Sequence, residues 1–216
     1  MQKYLAELLG VAGIVAAVLG AGYMVTNLGA QGGVGLALIA VSVAAALLIG
    51  ITVLGPVSGA HLNPAVTIAF WIQKGISAKD AIGYIGAQLV GGVIGAVTAN
   101  LMFEKAVVSV NDTVRAGTGQ LIGEVVATTG LVLSVLILVH IKQGMWIAPA
   151  VAVWVLGGHF FTSSTSFANP AVTFGRAFSD SLTGIEWGSV AGFVVAELAA
   201  AVLAVLLFKV LYPTKK

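Results

Sequence analysis

The sequence has no cysteine and few charged residues. Only 8% of its 216 residues are charged, whereas a typical soluble domain carries roughly 25%. The absence of cysteine excludes disulfides, thiolate metal ligands and cysteine nucleophiles. A water-soluble fold of this size could not cover its surface with so few charges, which excludes a secreted domain, a soluble enzyme and a disordered chain. The net charge of +2 is too small to indicate nucleic-acid binding.

Apolar residues make up 59% of the chain, and the mean hydropathy is +1.06. Lipid is therefore the expected solvent, and each crossing of the bilayer needs about 20 mostly apolar residues. Six stretches are long enough to cross, namely 4–28, 34–55, 79–102, 119–140, 145–166 and 187–210. The first is too long for the apolar part of a signal peptide, which has roughly 7–15 residues. The sequence predicts an all-α membrane protein with six transmembrane helices.

The basic residues indicate the orientation of these helices, because Lys and Arg concentrate on the cytoplasmic side of membrane proteins. With a cytoplasmic N-terminus, most of the basic residues lie inside. The inner ones are Lys3, Lys74, Lys79, Lys142, Lys209, Lys215 and Lys216, and the outer ones are Lys105, Arg115 and Arg176. We therefore expect a multi-pass protein of the cell membrane with both termini in the cytoplasm.

Two further segments are too apolar for exposed loops and too short to cross the bilayer. Both contain Asn-Pro-Ala-Val-Thr, at residues 63–67 and again at 169–173. Asn is a favoured N-cap, and Pro is favoured at the first position of a helix. Helices of about 10 residues starting at Asn63 and Asn169 would be roughly 15 Å long, which is half of a bilayer core of about 30 Å. The pattern predicts two re-entrant half-helices.

The duplicated motif is separated by about half of the chain, and other positions repeat with it. Glu7 corresponds to Glu124, and Gln88 corresponds to Glu197. Each half holds three spans and one half-helix, so the second half enters the membrane inverted relative to the first. We predict a single domain over residues 1–216, made of inverted repeats 1–105 and 106–216.

The predicted half-helices bring their N-termini together inside the membrane. Each N-terminus carries roughly half a positive charge and repels cations. Irregular backbone inside a membrane is tolerated only where it is buried in protein or lines a water-filled cavity. The side-chain amides of Asn63 and Asn169 can donate hydrogen bonds to an oxygen atom in such a cavity. These features describe a narrow path with hydrogen-bond acceptors along one wall and two donors at the centre.

The sequence resembles the aquaporin and glycerol-facilitator family over essentially its whole length. The resemblance rests on His61-Leu-Asn-Pro-Ala-Val-Thr67, on Ala168-Asn-Pro-Ala171, on the glutamates that open spans one and four, and on Ala87-Gln88. It implies six tilted helices around one pore per subunit, four subunits together, and passive flow of water or small neutral solutes. The paired central donors would be the asparagines of the motifs Asn63, Pro64, Ala65 and Asn169, Pro170, Ala171. We also expect His61, Leu62 and Ala168 to line the pore.

One position departs from the family pattern. Most members have arginine after the second Asn-Pro-Ala, where it narrows the outer constriction, whereas this sequence has Val172. The other filter positions, transferred by spacing, are Val43, Gly157 and Ser166. Such a filter is wide and apolar, so glycerol, urea-like molecules and uncharged metalloid hydroxides are expected to pass alongside water.

Two side chains near this filter have more than one interpretation. Arg176 follows Val172 by one helical turn, so it partly replaces the missing guanidinium, or it lies in the outer vestibule or pairs with Asp180. His159 in span five either faces the pore or is a packed core histidine.

Four polar residues inside the spans are functional candidates. They are Glu7, Gln88, Glu124 and Glu197. The resemblance implies that Glu7 and Glu124 brace the re-entrant backbone, whereas a proton relay would need a chain of titratable groups. We expect Gln88 and Glu197 to be structural partners of the half-helices.

A secondary transporter is the main alternative function, because it also uses inverted repeats and broken helices. Ion coupling would need carboxylates or a cation site at the midplane, where this chain has positive helix N-termini. An intramembrane enzyme would need a nucleophile–base or metal pair, and the sequence shows none. We therefore expect no enzymatic activity, no cofactor and no metal site.

Overall fold

A computed structural model describes residues 1–213 of the chain. In that range it contains eight α-helices. They are α1 (Gln2–Asn27), α2 (Gly32–Ser58), α3 (Pro64–Ile72), α4 (Ala78–Met102), α5 (Thr118–His140), α6 (Ile147–Phe161), α7 (Pro170–Arg176) and α8 (Trp187–Leu211). Lys215 and Lys216, which contributed to the predicted orientation, lie outside the described residues.

Six of these helices are long and apolar enough to cross a membrane, which confirms the predicted number of spans. The two short helices, α3 and α7, begin directly after Asn63 and Asn169 and have 9 and 7 residues. The second half of the chain thus repeats the order of the first, with two long helices, a half-helix and a third long helix.

The predicted end of the fifth span at residue 166 is wrong, because α6 ends at Phe161. Hydroxyl side chains follow it and compete for the backbone groups of the helix. The Thr162 hydroxyl donates to the carbonyl oxygen of Gly158 at 2.7 Å. Thr165 and Ser166 then adopt positive φ angles of 64° and 54°, which no helix accommodates.

The outward surface of the long helices is apolar. Seven of the large side chains on it are more than 60% exposed, namely Val34, Ile49, Val53, Ile82, Val153, Val195 and Val210. The four polar candidates of the spans are fully buried instead, namely Glu7, Gln88, Glu124 and Glu197. An apolar exterior around a partly polar interior suits lipid as the solvent, and the chain is a multi-pass membrane protein.

Glycines allow the helices to approach at two places. On α4, a Cβ at Gly91 or Gly95 would collide with backbone carbonyl oxygens of α1. On an adjacent face of α4, Gly92 faces Gly175 of α7. A Cβ on Gly92 would lie 2.6 Å from the carbonyl oxygen of Ala171, and one on Gly175 would lie 2.7 Å from that of Gly92. The glycine pair therefore sets how closely α7 can sit against α4.

A buried polar network holds the loop that follows α7. The Tyr23 hydroxyl donates to the Asp180 carboxylate at 2.6 Å, and its oxygen lies 2.9 Å from the side-chain oxygen of Asn100 and 2.8 Å from the Ser179 hydroxyl. The Asn111 amide donates to the carbonyl oxygen of Ser179 at 2.9 Å. The loop is thereby fixed to α1, to α4 and to the chain before α5.

Candidate functional site

Asn63 and Asn169 cap the two half-helices. The side-chain oxygen of Asn63 accepts a hydrogen bond from the N–H of Ala65 at 2.8 Å. That of Asn169 accepts from the N–H groups of Ala171 at 3.1 Å and Val172 at 3.3 Å. Because each amide oxygen is used in the cap, each amide NH2 points away from its own helix.

The two asparagine amides also connect the two halves of the chain. Asn63 Nδ2 donates to the carbonyl oxygen of Ala168 at 2.7 Å, and Asn169 Nδ2 donates to that of Leu62 at 2.8 Å. Each amide nitrogen has two hydrogens. One is used in this reciprocal contact, which leaves the second available to a solute beside it.

Glu7 braces the extended segment before α3. Its carboxylate accepts from the N–H groups of His61 at 3.0 Å and Leu62 at 2.6 Å. It also accepts from the Ser58 hydroxyl at 2.6 Å and from the Gln88 amide at 2.7 Å. Leu62 has a positive φ of 49°, so the carboxylate holds a backbone conformation that a leucine rarely adopts.

Glu124 performs the same task in the second half. Its two carboxylate oxygens accept from the N–H of Phe167 at 2.9 Å and from that of Ala168 at 2.7 Å. Ala168 has a φ of 49°, the same as Leu62 at the equivalent position. In both repeats a buried glutamate thus accepts from two backbone N–H groups of the segment that precedes the half-helix.

Gln88 and Glu197 support the half-helices from neighbouring spans. The Gln88 amide donates to the hydroxyl of Thr67 at 3.0 Å. Glu197 accepts from the hydroxyl of Thr173 at 2.7 Å and from the N–H of Asn169 at 3.1 Å. The two threonines occupy the same position of the duplicated motif, so the contacts follow the repeat.

A cavity of about 500 Å³ runs past both caps. Asn63 and Asn169 both line it, as do the predicted pore residues His61, Leu62 and Ala168. Most of the remaining wall is aliphatic and comes from α1, α2, α5 and α6. It includes Ile14, Val18, Leu47, Ile51, Leu131, Val135, Val151 and Val155. Polar groups along this path are therefore few, and the two caps are among them.

Three of the four predicted filter residues line this cavity, namely Val43, Ser166 and Val172. Gly157 does not line the cavity, so its assignment to the filter by spacing is wrong. From α6 the cavity is lined by Val155 and His159, which are one helical turn apart and share a face, whereas Gly157 lies about 200° around the helix from each.

The histidines occupy three different environments. The ring of His61 lies 3.2 Å from the hydroxyl of Thr67 and stacks on Phe70 at 4.8 Å between centroids. His140, at the end of α5, packs against Phe208 and Tyr212 and does not line the cavity. His159 is buried, and it lies among the residues that line the cavity.

Arg176 is buried and also lines the cavity. Its Nε donates to the carbonyl oxygen of Thr183, and its guanidinium carbon lies 3.3 Å from the centroid of the Phe167 ring. No ion pair joins it to Asp180, and the single salt bridge within residues 1–213 joins Lys3 to Asp80. The proposed pairing with Asp180 is wrong because α7 ends at Arg176, so the two residues do not share a helix face.

The role of His159 and Arg176 beside the cavity is a feature that sequence reasoning did not resolve. The one available signal was the four-residue spacing of Arg176 from Val172, which puts both on one face of α7. For His159, the rotation of α6 about its axis decides the outcome, and the nearly uniform apolar sequence of that helix does not encode it.

Comparison with known proteins identifies the family. A sequence model described as "Major intrinsic protein" matches residues 1–156. The chain is 38% identical over 210 residues to the aquaglyceroporin AqpS of Rhizobium meliloti (strain 1021), which covers 96% of this chain and 89% of that protein. It is 33% identical over 205 residues to a probable aquaporin, AqpM, of Archaeoglobus fulgidus, and this match covers 86% of this chain and 80% of that protein.

The fold also matches that of a solved structure. The X-ray structure of the aquaglyceroporin from Plasmodium falciparum superposes with a TM-score of 0.78 at 22% sequence identity, covering 98% of this chain and 97% of that one. The fold is therefore that of an aquaglyceroporin. Together with the capped half-helices, these matches show that the chain belongs to the major intrinsic protein family.

Proposed function

We propose that this protein is a passive membrane channel for water and small neutral solutes such as glycerol. The observation that carries the proposal is that two half-helix caps, Asn63 and Asn169, line one continuous cavity and each has an amide hydrogen to spare. A solute that leaves bulk water can replace part of its hydration with these two donors.

The aliphatic wall explains why the solute need not bind tightly. Conduction requires contacts that compensate for lost water without trapping the solute. The hydrogen-bonding groups lie at the caps Asn63 and Asn169 and at a few further side chains such as His159 and Arg176, and aliphatic side chains form most of the wall between them. Cations gain nothing at the caps, because the half-helix N-termini carry positive partial charge.

The proposed filter consists of Val43, Ser166 and Val172, which leave this part of the cavity without a charged group. Solutes of the glycerol, urea-like and uncharged metalloid hydroxide classes fit this chemistry, because each is neutral and can exchange hydrogen bonds with the caps. A secondary transporter is less favoured, because no acidic side chain lines the cavity among residues 1–213.

The arrangement of the chain in its membrane is also part of the proposal. The distribution of Lys and Arg supports cytoplasmic termini in the cell membrane. The family resemblance supports a homotetramer of single-domain subunits, each with inverted repeats 1–105 and 106–216. We propose no enzymatic activity, because the buried carboxylates are engaged in bracing the backbone.

Stopped-flow measurements on reconstituted vesicles test the function. Vesicles that contain the protein are expected to shrink and re-swell faster than empty vesicles when challenged with water and with glycerol, independently of any ion gradient. Replacing Asn63 with leucine removes one donor and is expected to reduce both permeabilities. Equal rates for protein-containing and empty vesicles would contradict the channel, and dependence of glycerol flux on a sodium or proton gradient would favour the transporter.

A further inference from the structure

The cavity past the caps meets a second one on its outer side. The second cavity, of about 420 Å³, is lined from the N-terminal part of α2, by Arg115, and by the loop that follows α7. Within the described residues, only His159 and Arg176 line both cavities. A solute that moves from one cavity to the other therefore passes these two side chains.

Arg176 is held firmly at this boundary. Its Nε donates to the carbonyl oxygen of Thr183, and the guanidinium plane lies over the ring of Phe167. Phe167 is itself buried in an apolar cluster with Ile185 and Phe193. The terminal guanidinium nitrogens have no acceptor within residues 1–213, so their N–H groups are available to a solute.

His159 presents the opposite polarity. Its Nδ1 lies 2.8 Å from the carbonyl oxygen of Val155, four residues earlier on α6. A carbonyl oxygen only accepts, so Nδ1 carries the proton of the neutral ring and Nε2 is an acceptor. A solute between the two side chains thus meets donors from Arg176 and an acceptor from His159.

We propose that Arg176 and His159 form the outer constriction of the channel and select neutral solutes that can both accept and donate a hydrogen bond there. The inference rests on the proposed channel function and deepens it. The guanidinium that this sequence lacks at Val172 is supplied one helical turn further out by Arg176. The apolar filter at Val43, Ser166 and Val172 then forms the inner side of a constriction whose size limit is set by Arg176 and His159.

The chain contains a closely matched control for Arg176. Arg115 also donates from Nε to the same loop, to the carbonyl oxygen of Gly184 at 2.8 Å, and its guanidinium carbon lies 5.1 Å from the centroid of the same Phe167 ring. It lines only the outer cavity. Arg115→Gln therefore removes a positive charge and a loop contact without opening the constriction.

The test compares the permeability of xylitol with that of water in vesicles containing the wild type, Arg176→Gln, His159→Ala or Arg115→Gln. We expect Arg176→Gln and His159→Ala to raise the xylitol-to-water ratio by about tenfold, equivalent to about 1.4 kcal/mol of barrier. We expect Arg115→Gln to change it by less than about twofold, as for a substitution outside the constriction.

Three results would overturn the proposal. The first is an unchanged ratio in both Arg176→Gln and His159→Ala. The second is an increase in Arg115→Gln as large as that in Arg176→Gln, which would assign the effect to vestibule charge. The third applies if Arg176→Gln does not fold, and it is an unchanged xylitol-to-water ratio in His159→Ala. That variant decides the matter because it leaves the contacts of Arg176 to Thr183 and Phe167 intact. A wild type that conducts neither water nor glycerol would instead refute the channel function itself.

Discussion

Replacing Glu7 with glutamine tests whether the buried carboxylate is a brace for the backbone. The carboxylate accepts four hydrogen bonds, two on each oxygen: from Ser58 and the N–H of His61 on one, and from the N–H of Leu62 and Gln88 on the other. A glutamine has one oxygen and one NH2 group. Whichever way the amide turns, its NH2 faces one of the two backbone N–H groups and leaves it without an acceptor.

The magnitude follows from that one orphaned donor. The side-chain donors can adapt, because the Ser58 hydroxyl can rotate and the Gln88 amide can flip, whereas a backbone N–H cannot. A buried donor left unsatisfied costs about 1–3 kcal/mol. For a chain of this size about 2 kcal/mol corresponds to a fall in melting temperature of roughly 4–8 °C. The released strain at Leu62 is also expected to lower water permeability, because the segment beside Asn63 loses its support.

Two assays are needed. Thermal unfolding of the purified protein in detergent is monitored by size-exclusion chromatography, and water permeability is measured in vesicles. Glu104→Gln is the control, since Glu104 is exposed and its side chain has no hydrogen-bond partner within residues 1–213. A melting temperature for Glu7→Gln that equals the control would refute the bracing role. If proton flux alone were lost, the relay interpretation would take its place.

Three further predictions concern packing and selectivity. Gly92→Ala is expected to lower the melting temperature and water permeability, because its Cβ would lie 2.6 Å from the carbonyl oxygen of Ala171; overpacking of this kind costs about 1–3 kcal/mol. Gly86→Ala, with nothing within 4 Å of its Cβ, should leave both unchanged in parallel measurements. Val172→Arg adds a second guanidinium one turn inside Arg176, so glycerol flux should fall more than water flux in vesicle swelling; exclusion of glycerol by the wild type as well would contradict a wide filter. Reversal potentials across planar bilayers should reveal no sodium or proton conductance, because the half-helix N-termini repel cations.

The architecture could be predicted from the sequence because its signals are local. The length and composition of each apolar run determine whether it spans the bilayer, and the duplicated Asn-Pro determines where each half-helix begins. The same reasoning paired Glu7 with Glu124, because the repeat places them at equivalent positions. Both carboxylates accept from backbone N–H groups of the re-entrant segments.

The wrong predictions concern side chains whose orientation and partners are determined by tertiary structure. Spacing alone assigned Gly157 to the filter, but the rotation of α6 turns Val155 and His159 to the cavity instead. The four-residue spacing of Arg176 and Asp180 suggested a helical ion pair, yet the helix ends between them and Asp180 accepts from Tyr23. Both cases depend on neighbours distant in sequence, which no local pattern records.

The reciprocal bonds of the two asparagines have a consequence for biogenesis. The acceptor for the Asn63 amide lies 105 residues downstream, so the ribosome delivers it long after α3 has been made. Until then, the amide of Asn63 and the carbonyl of Leu62 lack their partners, and in hydrocarbon each unmet group costs several kcal/mol. The first half-helix therefore settles into its final depth only when the second one arrives. A chain whose synthesis stops between the two motifs therefore lacks both the partner of Asn63 and the second of the two caps that line the cavity.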